Sequence, residues 1–146
     1  MPQGTLLAFD FGRRRIGIAV GQTTTFTATA LTTVRCTETP DWRHIKKLID
    51  DWRPAALVVG LPLASDGSET DMSAAARRFG AELAERFGLP IIHADERLTS
   101  RQANTEFAAQ RAAGQARRRD ASRLDAMAAK ILLENWLQSL AARERR

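Results

Sequence analysis

Three carboxylates in this sequence, Asp10, Glu96 and Asp125, stand where a folded chain can bring them together. Asp10 directly follows the apolar run TLLAF, at the end of what should be a central strand, where an unpaired carboxylate costs free energy. Glu96 stands in Asp95-Glu96-Arg97, directly after a second apolar run, LPIIHA. Functional groups gather at the carboxyl ends of strands in a largely parallel sheet, so two acids at two such ends can converge. Asp125 shares a helical arc with Ala129, Leu132 and Trp136, and an acid on an apolar stripe requires a partner. That partner is either an arginine in a buried ion pair or a metal ion facing the sheet. Taken singly, Asp10 also reads as a turn or cap aspartate, and Asp95-Glu96 as the preparation of a helix start. Three carboxylates held together repel one another and so imply cations. Oxygen-only ligands suit Mg²⁺ or Mn²⁺ rather than zinc. Two such ions about 3.5–4 Å apart would activate a water and stabilise the departing oxygen in phosphodiester cleavage.

Basic residues flank all three acids. Arg13, Arg14 and Arg15 lie on the turn after Asp10, Arg97 follows Glu96, and Arg111, Arg117, Arg118, Arg119 and Arg123 lead up to Asp125. Arginine holds phosphate bidentately, and such contacts position a nucleic-acid backbone without reading its sequence. Each of these arginines alone also reads as a solvated surface charge; their placement around the acids favours function. From Arg97 to Arg146 there are 11 Lys/Arg against 5 Asp/Glu, whereas the preceding 96 residues hold 11 against 12. The excess positive charge is therefore concentrated in the last third, as expected if one surface faces a polyanion. No aromatic residue accompanies the arginine runs, so no stacking platform for unpaired bases is expected. His93 on its apolar strand reads as a core residue, and His44 carries no evident role.

Other chemistries are excluded. The single cysteine, Cys36, allows neither an intramolecular disulfide nor a thiolate zinc site. No apolar run approaches the roughly 18–20 residues a membrane span needs, and the N-terminus lacks the pattern of a signal peptide, so a cytoplasmic protein is expected. Asp10-Phe11-Gly12 spells a kinase metal motif, but no HRD loop or strand lysine accompanies it. There is no GxGxxG, Walker A loop, GxSxG or HExxH.

The elements that must position the acids follow from the hydrophobic pattern. Thr5–Asp10 and Arg15–Gly21 read as a hairpin, and the Thr-rich stretch Thr23–Val34 as a third strand. Thr39 and Pro40 predict a helix start, with Trp42, Ile45, Ile49 and Trp52 facing the core. Pro54 ends that helix, and Ala55–Gly60 is a continuous apolar run of the kind a buried parallel strand shows. A loop over Leu61–Asp71 precedes a helix over Ser73–Phe87 that closes at Gly88, and Leu89–Ala94 is the fifth strand. Thr99 and Gln102 predict a further helix ending near Gly114; Arg117–Asp120 is a charged connection, and a last helix runs over Ser122–Ala141. The order β-β-β-α-β-α-β-α-α gives an α/β protein with a mixed five-stranded sheet flanked by helices. No repeat or linker interrupts residues 1–146, so one domain with a core over about residues 5–140 is expected.

Four segments carry a family resemblance: AFDFGRRRIGIAVG, VVGLPLASDGSE, HADERLTS and RLDAMAAKILLENWL. They are similar to the signature segments of the YqgF/RuvX proteins, bacterial RNase H-like domains related to the junction resolvase RuvC, over Leu6 to Leu137. The resemblance implies an RNase H-like fold and a nuclease that matures the 5′ end of the 16S ribosomal RNA precursor. An older naming makes the family Holliday junction resolvases. It also implies that the acidic positions fall on Asp10, Glu96 and Asp125, and that Gly12, Gly17, Gly60, Pro62 and Gly67 are the family's loop residues. Ser65, Asp71 and the arginine-rich Arg117–Arg119 depart from the family pattern without touching the acids.

Two readings of other classes stay open. A phosphate-binding ATPase of the actin and sugar-kinase group shares the Asp-x-Gly hairpin, but such proteins enclose the nucleotide between two domains. A non-catalytic nucleic-acid-binding protein, acting in ribosome assembly or transcription, would keep the arginine surface without needing the acids. Among nuclease substrates, RNA is favoured over branched DNA, with pre-ribosomal particles as partners. A resolvase cuts symmetrically as a dimer, and no dimer stripe stands out, so a monomer or weak homodimer is expected.

Overall fold

Leu6, Leu7, Ala8 and Phe9 are all fully buried, so the first strand has no solvent face and must lie at the centre of a sheet covered on both sides. The computed structural model describes residues 4–96 and 118–144. Its elements are β1 (Thr5–Phe11), β2 (Arg15–Gln22), β3 (Thr27–Arg35), α1 (Trp42–Trp52), β4 (Ala56–Leu61), α2 (Asp71–Phe87), β5 (Ile91–Asp95) and α3 (Arg118–Glu144). Among the described residues the sheet has the order β3-β2-β1-β4-β5. β1 pairs antiparallel with β2 and parallel with β4; β2–β3 is antiparallel and β4–β5 parallel. This is the expected mixed sheet. The helix expected between Thr99 and Gly114 lies outside the described residues.

Strand alternation sorts the core into two layers. Leu7, Phe9, Ile16, Ile18, Leu57 and Val59 pack with Ile45 and Ile49 of α1 and with Ala76, Phe79 and Leu83 of α2. Leu6, Ala8, Ala19, Ala56 and Val58 pack with Ala129, Leu132, Leu133 and Leu137 of α3. Asp10 continues the second set, so its side chain is directed to the α3 side of the sheet. On the first side Phe79 gathers Phe9, Phe11 and Trp42 at ring-centroid distances of 5.6, 4.9 and 5.7 Å.

Several boundaries differ from expectation for identifiable reasons. Residues 23–26 form a turn rather than the start of β3, with Phe26 at φ 55° and its N–H donating to the Gln22 carbonyl. The cap of α1 is Asp41, not Thr39: the Asp41 carboxylate accepts from the His44 N–H, while Pro40 is tied to Cys36 in a short bridge. Trp52 is 39% exposed and is not core, whereas Trp42 is half-buried against Phe79. α2 begins at Asp71 because Thr70 and Ser73 cap each other reciprocally. The connection expected at Arg117–Asp120 is helical from Arg118 onward. His93 is exposed on β5 rather than a satisfied core residue. Among the described residues no helix is long and apolar enough to cross a membrane.

Candidate active site

Glycines decide how closely the acids approach. Asp10 of β1 is the register partner of Gly17 of β2. A Cβ on Gly17 would run into the backbone carbonyl of Asp125, so its absence lets α3 lie directly on the sheet beside Asp10. Gly21, two pleats along the same face, accommodates Leu133 in the same way. Gly60 of β4 makes room for Glu96, whose carboxylate occupies the space a Cβ there would take. Glu96 leaves the end of β5 with its N–H on the Leu61 carbonyl at 3.1 Å. The three acids thus reach one end of the sheet, on the α3 side, from two strand ends and a helix.

Their electrostatics are those of crowded carboxylates. Asp10 and Glu96 hydrogen-bond through their side chains. Burial pushes the Glu96 carboxyl up to about 9, helped by the hydrogen bond with Asp10 and by the charges of Asp10 and Asp95. Burial also raises Asp10; the Glu96 hydrogen bond opposes the rise and the Asp125 charge adds to it. At neutral pH the pair therefore holds a shared proton, with Glu96 the donor. Asp125 accepts from Arg15 Nε at 2.7 Å, so the arginine partner contemplated for it is present. These side chains are 37% and 34% exposed, and ion pairs of that exposure contribute only about 0–1 kcal/mol. The bridge alone is too weak to account for an acid on the apolar stripe.

The donor set suits a hard divalent cation: it offers only carboxylate oxygens, and two of them are crowded enough to retain a proton. As they stand, the acids do not form a finished metal cage. Among the described residues no group of three or more His, Cys, Asp or Glu is placed to hold an ion together.

The same proton predicts a stability signature. Both carboxyls are raised on folding, so the folded chain binds more protons than the unfolded one between the ordinary carboxylate range and about 9. Without divalent cations, stability therefore falls as pH rises through that window. Glu96→Gln removes the titrating group. Its melting temperature in EDTA at pH 8 is expected to exceed wild type by at least about 2 °C, and the gap to close toward pH 4. Equal melting at pH 8 would contradict the shared proton.

The other expected site residues divide. Arg13 and Arg14 are exposed on the hairpin turn, with Arg13 Nε 3.2 Å from Met72 Sδ. Arg118 and Arg119 open α3, and Arg123 is exposed on it. Arg97, Arg111 and Arg117 lie outside the described residues. Gly12 closes the hairpin, where a Cβ would meet the Arg15 carbonyl oxygen at 2.6 Å. Gly67 turns its loop at φ 90°, with Ser68 bonded to Asp66, and the Pro62 carbonyl accepts from Ser73 Oγ. Arg35 and His44, which carried no expected role, join Arg13, Arg14 and Arg15 around one cavity. Only the β2–β3 register could have placed Arg35 there.

A five-stranded mixed sheet with this order, covered by helices on both faces, defines an RNase H-like fold. The solved structures agree at the level of fold. Thermus thermophilus RuvC in complex with Holliday junction substrate superposes with a TM-score of 0.53 at 16% identity, covering 94% of this chain and 96% of that one. A second structure of RuvC from the same organism gives 0.50 at 13% identity. The chain belongs to the RuvX family, described as Holliday junction resolvase, which matches residues 4–139. A Coxiella burnetii (strain Dugway 5J108-111) protein named "Putative pre-16S rRNA nuclease" is 46% identical over 141 residues, 94% of this chain and 96% of the relative. A protein of the same name from Xanthomonas euvesicatoria pv. vesicatoria (strain 85-10) is 44% identical over 137 residues, 93% and 88% of the two chains.

Proposed function

We propose that this chain is a metal-dependent endonuclease that cuts a phosphodiester bond in the precursor of 16S ribosomal RNA, at or near its 5′ end. The observation that carries the reading is the meeting of Asp10, Glu96 and Asp125 at one sheet end, seated by Gly17 and Gly60. RNA is favoured over a DNA junction because relatives 44–46% identical carry the RNA-processing name. The junction complex is of a protein only 16% identical. A chain with this activity would act in the cytoplasm, on pre-ribosomal particles or free precursor.

Asp10 and Glu96, once they give up their shared proton, would hold Mg²⁺ or Mn²⁺, with Asp125 completing the set when it leaves Arg15. A cation bound there supplies Lewis-acid activation of a water and charge stabilisation of the departing oxygen. Arg15 would then contact phosphate, and Arg13, Arg14 and Arg123 would hold the flanking backbone. Because Glu96 must deprotonate to serve as ligand, cleavage at limiting metal should rise with pH.

The Arg15–Asp125 bridge favours one competing reading, a nucleic-acid-binding protein in which Asp125 only orients an arginine. One experiment separates the two. Labelled precursor RNA and a four-way DNA junction are each incubated with Mg²⁺, Mn²⁺ or EDTA, using wild type and Asp125→Asn. Metal-dependent cutting of the RNA, lost in the variant, is the expected result. Cutting of the junction alone would move the substrate to DNA. Salt-sensitive binding of both substrates, without cutting and indifferent to Mg²⁺ and to the variant, would establish the binder.

A further inference from the structure

Arg15 and Arg35 are register partners on antiparallel β2 and β3, an arrangement that sets two cations directly opposite each other. Like charges so placed destabilise a sheet unless something between them is negative. The Cys36 N–H donates to the Arg14 carbonyl at 2.9 Å, which binds the end of β3 to the hairpin turn and brings Arg14 into the same group. Arg15 is drawn toward Asp125. Among the described residues neither Arg14 nor Arg35 has an ion-pair partner, and both are exposed.

These arginines, with His44, Thr33 and Thr37, line a cavity of about 750 Å³ between the first hairpin, the end of β3 and the start of α1. The one carboxylate in its lining, Asp41, is occupied at the start of α1 by the His44 N–H at 3.2 Å. Four arginines, Arg13, Arg14, Arg15 and Arg35, thus stand against one carboxylate in the lining, so the cavity is a concave, cationic space whose charges are not balanced from within. A phosphodiester has the matching charge, and arginines around a concavity hold its two free oxygens by paired N–H bonds. Arg15 belongs both to this cavity and to the acid cluster, so a strand lying in one would pass by the other.

We propose that this cavity is a second phosphate site, holding a backbone phosphate of the substrate strand at one remove from the scissile bond. Arg14, Arg35 and His44 are its ligands. The assignment rests on the nucleic-acid reading above and adds two residues, Arg35 and His44, to the surface that reading uses. It also gives the strand a direction, from the acids across Arg15 toward the start of α1.

The test is fluorescence anisotropy of a labelled single strand of about 20 nucleotides in EDTA, over a salt series. Replacing one phosphate-holding arginine lowers the slope of log affinity against log salt by about 0.7 for a single strand. Arg35→Gln should show that drop with an affinity loss of about three- to tenfold, the same for different sequences. Its melting temperature should be unchanged or higher, since Arg15 loses a like-charged neighbour, whereas a merely structural Arg35 would melt lower. Arg14→Gln should behave likewise, and Lys47→Gln on the exposed face of α1 should not. Wild-type binding with an unchanged slope in Arg35→Gln would overturn this site while leaving the nuclease reading in place. No binding by wild type would overturn both. Thermal protection by inorganic phosphate that depends on Arg35, with strand binding indifferent to it, would make the cavity a free-anion site and also overturn the proposal.

Discussion

Asp10→Asn is expected to lower metal-dependent cleavage by at least about 10³-fold while leaving the chain folded and no less stable. The size follows from the role: charge stabilisation at a metal site contributes several kcal/mol, and each 1.36 kcal/mol is about tenfold in rate. The selectivity follows from position. Asp10 is the first residue of the α3-side row of β1 that is not fully buried, beyond Leu6 and Ala8, and it is crowded by Glu96 and Asp125. Asparagine keeps the shape and can still accept from Glu96 through its amide oxygen, but it removes the charge that a cation would need. Its melting temperature in EDTA should equal or exceed wild type, because a raised carboxyl is one whose ionisation opposes folding. Single-turnover rates and thermal denaturation on the same preparation check both halves. A variant that cuts at the wild-type rate would remove Asp10 from the chemistry.

Gly17→Val is expected to have the second large effect, by the opposite route. Here no charge changes, but the new side chain enters the space filled by the Asp125 backbone carbonyl. Either α3 lifts from β2 or the strand bends away. Overpacking of this kind costs about 1–3 kcal/mol, and about 2–4 °C of melting temperature per kcal/mol in a chain of this size. Because the residue displaced is Asp125 itself, cleavage should fall with stability, and by more than the unfolded fraction explains. Gly17→Ala should show a smaller version of both. Thr29→Val, on the same sheet but exposed on the edge strand, should show neither. A Gly17→Val protein that melts and cuts like wild type would mean that the close approach of α3 does not position the acid.

Much of this arrangement is legible in the residues, and the limits have physical causes. β1 and β4 are visible because continuous apolar runs bounded by turn residues have few other uses. Asp10 and Glu96 are visible because each stands at the end of such a run. Asp125 is visible because a charge on an apolar stripe is conspicuous. What makes the three meet is harder to see: Gly17 and Gly60 act through the side chain they lack, and which atom fills that space depends on the α3 crossing. Register is similarly hidden. The β2–β3 pairing shifts between Ile18 and Ala19, so no simple hairpin count places Arg35 opposite Arg15. Local capping misled at Thr39, because Asp41 makes the side-chain contact to the first helical N–H groups, and composition alone set the start of α2 at Ser73, two residues late, because it does not register the Thr70 cap. Trp52 shows the remaining ambiguity, since a residue at the end of an amphipathic helix can follow the apolar period and still leave the core.

The central claim is that the carboxylates at the ends of β1 and β5, with Asp125 of α3, hold a divalent cation. It is tested most directly without any substrate, by titrating Mn²⁺ into the protein at pH 8 and following the free-ion resonance signal. Wild type should remove Mn²⁺ from solution at a saturable site. Asp10→Asn and Glu96→Gln should each weaken that binding by at least about tenfold, the loss expected when a ligand or its close support is removed. Binding of the same strength in both variants, or none in wild type, would contradict the account.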